Sequence, residues 1–123
     1  MKKEDPSIVE VPINYSGYYK ATESRYNSGS LTTGPSTSSV EYEFEVTQTG
    51  SGDLIFSNLY EEGSEVNGTL DGNAITIANQ SFDGFLTTEG NGSITDGILH
   101  INYVVNNPDG YVECELTGGK LAN

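Results

Sequence analysis

The feature that most restricts this chain is alternation: in segment after segment apolar and polar residues change places with period two, and Gly, Asn, Asp or Ser fills the intervals. Successive side chains of a strand point to opposite faces, so the pattern specifies strands with one dry and one wet side. Val40, Tyr42, Phe44 and Val46 alternate with Glu41, Glu43 and Glu45, and Val112, Cys114 and Leu116 alternate with Glu113 and Glu115. Helical periodicity is almost absent. Strands are expected near 17–23, 39–47, 53–59, 65–70, 73–78, 85–95, 97–105 and 111–118, eight in all.

The turns supply a check on this reading. A two-residue hairpin pairs residues whose numbers have a fixed sum, and paired residues share a face. With Asp71-Gly72 as a type I′ turn, Leu70 meets Asn73, Gly68 meets Ile75 and Val66 meets Ile77. With Asp96-Gly97 as the next, Ile94 meets Leu99, Gly92 meets Ile101, Gly90 meets Tyr103 and Thr88 meets Val105. The glycines then let bulky partners pack over bare backbone and let the sheet coil. "NPDG" at 107–110 suits a type I turn with a following Gly bulge, which sets Val105, Tyr103 and Ile101 against Val112, Cys114 and Leu116. All three hairpins converge on one apolar face. The expected fold is therefore all-β, an eight-stranded antiparallel up-and-down meander closing into a barrel, with a β-sandwich as the alternative. Closure is favoured because neither terminal strand shows edge protection by an inward charge or a proline.

One domain accounts for the 123 residues. Residues 1–14 read as a flexible N-terminal tether, 15–123 as the barrel, and the small, polar, unpatterned segment 27–39 as a mobile loop. "MKKEDPSIVEVP" resembles the start of an exported domain whose leader has been removed. A net charge of −13, with Lys2, Lys3, Lys20, Arg25 and Lys120 the only cations, argues against nucleic acid as a partner. Anionic membrane surfaces would repel such a chain. No apolar run is long enough for a membrane-spanning helix. The lone Cys114 allows no intrachain disulfide and reads as a buried, inert thiol; His100 falls on the wet side of its strand.

"INYSGYYKATE" at the first strand resembles the Gly-x-Trp opening of lipocalins and other calycins, with Gly17, Tyr18 and Tyr19 in register and Tyr19 in the Trp position. "HINYVVNNPDGYVECEL" is similar to the closing strands of short, exported, often lipid-anchored calycin-like proteins of Bacteroidetes. The resemblance spans roughly residues 15–118. It implies a periplasmic or outer-membrane-anchored lipoprotein of a Gram-negative bacterium, with an N-terminal lipid anchor in the full-length precursor and no enzymatic role.

Chemistry read from the residues themselves is sparse. Glu41, Glu43 and Glu45 stand about 7 Å apart in succession along one strand, too far to converge on one ion. Asp71, Asp83, Asp96 and Asp109 precede glycine and are explained by turns. No metal or cofactor is expected, and with a single histidine no nucleophilic triad forms. The expected role is a non-enzymatic, monomeric binding or accessory module taking a small apolar ligand inside the barrel. Tyr42, Phe44, Tyr103, Gly90, Gly92 and Tyr19 are the candidate ligand-binding residues, the Tyr42 and Tyr103 hydroxyls giving orientation. A packed interior, with the glycines serving coiling and aromatic packing alone, is the competing expectation. A surface that contacts protein or carbohydrate through tyrosines such as Tyr18, Tyr26 and Tyr60 is the alternative function.

Overall fold

The computed structural model describes residues 14–29, 34–50, 52–61, 63–84 and 86–121. The expected N-terminal tether lies outside these but for Asn14. Eight strands form one closed antiparallel barrel in sequence order. They are β1 (Gly17–Asn27), β2 (Ser36–Thr49), β3 (Asp53–Ser57), β4 (Glu65–Asp71), β5 (Ala74–Asp83), β6 (Leu86–Thr95), β7 (Ile98–Asn107) and β8 (Gly110–Lys120). Closure is made by β1 against β8, where Ala21 pairs with Gly118 and Arg25 with Cys114. A sandwich is thereby excluded. No helix among the described residues is long and apolar enough to cross a membrane.

Alternation does what the sequence demands of it. Tyr42, Phe44 and Val46 are buried, whereas Glu41 and Glu43 are exposed and Glu45 is half-exposed. The Asp96-Gly97 hairpin has the expected register, with Gly90 opposite Tyr103 and Gly92 opposite Ile101. Both turn residues take positive φ, 55° and 77°, as a type I′ turn requires. The last hairpin pairs Tyr103 with Cys114 as expected, but Gly110 pairs directly with Asn107 and no bulge intervenes. The Asn107 side chain accepts the Asp109 N–H (2.8 Å) and holds that turn locally.

Three further expectations need correction. The turn between β4 and β5 is Gly72-Asn73, since Asp71 pairs with Ala74 and Leu70 with Ile75. Gly72 alone takes positive φ there, 64°, and a shift of two leaves every face unchanged. The ends of the segment 27–39 are strand: β1 runs to Asn27 and β2 begins at Ser36, with Asn27 opposite Ser36. Its serines and threonines carry no apolar pattern because that part of β2 rises past the packed core. Finally, the first strand does carry inward charge, Glu23 and Arg25, inside a barrel that closes all the same.

The core fills one end of the barrel. Tyr19 stacks on Phe44 at 5.6 Å between ring centres, and Phe56, Leu54, Ile75, Ile94, Leu99 and Leu116 close around them. Gly118 and Gly68 make seats for the Phe44 and Phe56 rings: a Cβ at either would stand 3.2 Å or 3.0 Å from ring carbon. Gln48 ties the chain entry to this end, accepting the Tyr15 N–H on its side chain and donating its own N–H to Ser16, both at 2.8 Å.

Candidate functional site

Beyond Ala21 the inward row of β1 becomes charged. Glu23, fully buried, stands between Val40 of β2 and Leu116 of β8. Its Oε1 accepts from the Tyr42 hydroxyl (2.7 Å) and from the Tyr103 hydroxyl, and its Oε2 accepts from Arg25 Nε (2.5 Å). Three donors, one of them charged, replace the water a buried carboxylate loses. The Arg25 guanidinium in turn lies 4.2 Å from the centre of the Tyr60 ring, and Tyr60 meets Tyr103 edge-on. The Tyr60 N–H donates to the Tyr42 hydroxyl (3.1 Å). One cluster thus joins β1, β2, β7 and the turn after β3.

Burial, reinforced by neighbouring charge, pushes the phenols of Tyr42 and Tyr103 far above their ordinary value, so both remain donors at neutral pH. Burial likewise raises the Cys114 thiol to about 12, the Glu23 carboxylate adding to the rise. His100 is on the outer face, its Nδ1 3.4 Å from Thr117 Oγ1. Among the described residues no three His, Cys, Asp or Glu side chains gather as a metal site.

Unequal strand lengths open the other end sideways. β3 has 5 residues and β4 has 7, against 10 to 14 in the other six. β2 meets β3 only from Glu45 to Thr49, and β5 meets β4 only from Ala74 to Thr76. The wall is low on that side. Its rim is a 3-10 turn, Leu59–Glu61, in which Leu59 is buried and Tyr60 takes φ 63°, an uncommon conformation for a bulky residue that its contacts to Arg25, Tyr42 and Tyr103 hold in place. Where β4 and β5 part, the Gln80 side chain stands in for a strand. Its Oε1 accepts the Asn67 N–H and its Nε2 donates to the Asn67 carbonyl, each at 2.8 Å.

A cavity of about 1080 Å³ occupies this end. The register explains its lining: Ser38 pairs with Arg25, Arg25 with Cys114, Cys114 with Tyr103, Tyr103 with Gly90 and Gly90 with Ile77, a single inward row across six strands. All six line the cavity, and residues 37–39 of β2 and 77–79 of β5 form its two lips. Ile77, Tyr103 and Cys114 are at most 4% exposed, so the space stands over packed side chains and does not run between them.

Of the residues expected to bind ligand, Tyr103 and Gly90 line this cavity and Tyr42 lies in the hydrogen-bonded base beneath it. Phe44 and Tyr19 belong to the closed end, and Gly92 sits between Ile75 and Ile101. Sequence reading missed Glu23 and Arg25 and placed Tyr60 on the outer surface. The signal for the first two was an opposite-charge pair two residues apart, in phase with Tyr19 and Ala21. Tyr18 and Tyr26 are exposed on the outer side of β1, roughly 26 Å apart at strand rise, which makes no shared stacking platform; Tyr60 is turned inward. Comparison with protein-family models, with curated proteins and with solved structures gives no match.

Proposed function

We propose that the protein is a non-enzymatic binding barrel that takes a small molecule with an apolar body and one polar group at its laterally open end. The observation that carries this reading is the inward row from Ser38 to Ile77, which lines a cavity of about 1080 Å³ with apolar Ile77, bare Gly90 and the polar Arg25 and Tyr103. Small-molecule sites join an apolar floor to a few placed polar groups, and here Ile77 and Cys114 form the floor while Ser38, Arg25 and Tyr103 supply the polar groups in the same row. A non-catalytic role is supported by the state of the buried groups beneath the cavity: two phenols and a thiol are held protonated by burial, and the Glu23 carboxylate is already engaged by three donors. An envelope location, with a lipid anchor preceding this chain, is the compartment we propose from the calycin-like strand motifs.

Titration with a hydrophobic fluorescent probe tests the site. The parent protein is expected to bind, and Ser38→Trp, which fills the cavity from an exposed lip position, is expected to abolish binding without loss of the native fold. A parent that binds nothing, with binding gained only on Tyr103→Ala, would show a filled interior and overturn the reading.

A further inference from the structure

The low wall leaves the upper part of β2 without a strand partner on the β3 side among the described residues. Glu43 presents its carbonyl on the β3 side, where Asn58 Nδ2 donates to it at 2.9 Å, and Gln48 turns its N–H the other way, to Ser16. Backbone groups of a strand alternate sides residue by residue, and β2 pairs with β1 without a register shift from Ser36 to Val46. Thr37, Ser39 and Glu41 therefore direct both N–H and C=O toward the side that β3 never reaches. Among the described residues no backbone group meets them there. All three are exposed. Among the described residues no helix covers this edge, and Thr37–Glu41 contains neither a proline nor a bulge, so its protection is limited to the charge of Glu41 and Glu43. Its outer face carries Glu41 and Glu43, and on its inner face Ser38 lines the cavity.

We propose that the edge of β2 from Thr37 to Glu41 is a strand-addition site for an extended segment of a protein partner in which cationic and apolar side chains alternate. Main-chain hydrogen bonds to three successive edge residues supply the binding, and alternate side chains supply the selectivity. Those pointing outward stand beside Glu41 and Glu43 on a chain of net charge −13 with one described basic side chain, Lys20, near that row, 3.8 Å from Glu41. Those pointing inward enter the cavity above Ile77 and Tyr103. The main-chain contacts to this edge do not depend on the small-molecule reading, whereas the inward side chains and such a molecule would compete for the same space.

The test uses the full chain and a capped peptide of four Lys-Val repeats. Expected are saturable amide shifts centred on Thr37, Ser39 and Glu41, with exchange at those amides slowed at least tenfold. A peptide of the same sequence with alternate backbone nitrogens methylated is expected to bind at least tenfold more weakly, as is the parent peptide to Ser39→Pro, which removes an edge donor and no backbone hydrogen bond to β1. Should Ser39→Pro fail to fold, the double reversal Glu41→Lys, Glu43→Lys is expected to weaken the Lys-Val peptide and favour a Glu-Val one. Equal binding of the methylated peptide would reduce the contact to charge attraction and overturn the proposal. Protection of the same amides without peptide would overturn it also, identifying a second copy if it grows with protein concentration, or the chain's own Ile8 and Val9 if it does not and they are protected in step.

Discussion

Glu23 shows how one residue can decide the character of a barrel interior. Its carboxylate is buried with Arg25, whose side chain is 16% exposed, and the pair is worth keeping only because Tyr42 and Tyr103 complete its hydrogen bonding. Arg25→Met is expected to cost about 3–5 kcal/mol, since it strands a buried charge. Adding Glu23→Gln in the same molecule is expected to recover part of that loss, and a double-mutant cycle by denaturant unfolding reads the coupling. The buried acids of the core set a second expectation. Cys114 is raised from 9.0 to about 12 and Tyr19 from 10.0 to about 12, both chiefly by burial. An unfolded chain releases these protons first, so the native state holds more of them above pH 9 and stability falls as pH rises. The contribution is intact below pH 9 and is lost toward 12, at about 1.4 kcal/mol per pH unit for each group ionised only in the unfolded chain. Unfolding midpoints measured across pH 8 to 11 check this, with Cys114→Val expected to flatten the segment between 9 and 10.

At the scale of elements, the strands are ordered by what lies opposite them. A Cβ on Gly90 would stand 2.6 Å from the Tyr103 Cβ and closer still to the Asn102 carbonyl, whereas one on Gly119 would meet nothing within 4 Å. Gly90→Ala is therefore expected to cost about 3 kcal/mol and Gly119→Ala to remain within about 0.5 kcal/mol of the parent. The seam between β4 and β5 depends on Gln80, so Gln80→Ala is expected to lose about 1–2 kcal/mol and to speed amide exchange at Asn67. These two cases mark what was legible in the sequence. Gly90 opposite Tyr103 followed from the Asp96-Gly97 turn by arithmetic, because hairpin pairing is a local rule. Gln80 was invisible, since its partner in the other strand is reached only after β4 and β5 have diverged, and no periodic pattern records a side chain that mimics backbone. Tyr60 was hidden for a related reason: a positive φ after a short strand turned it inward, against the expectation of an outer contact.

Taken as a whole molecule, the barrel separates its charges by face. The closed end was readable because a dry face is specified by hydrophobicity alone; the open end was not, because its inner surface is built from Ser38, Glu23 and Arg25, residue types that ordinarily mark the wet side. Outward, Glu41, Glu43, Glu113 and Glu115 crowd β2 and β8, the two strands that flank β1, and Lys20 on β1 faces only the β2 pair. With 18 acidic against 5 basic side chains, self-repulsion opposes the compact state. Salt shortens the reach of that repulsion from about 30 Å at 0.01 M to about 8 Å at 0.15 M. The melting temperature is accordingly expected to rise with NaCl over this range at pH 7, and the double change Glu113→Lys, Glu115→Lys to raise it at low salt and to blunt the dependence. The buried Glu23–Arg25 pair, screened far less, would not produce such a rise. A melting temperature that fell with salt would mean that attractive pairs such as Lys20 with Glu41, and not the net charge, govern the surface.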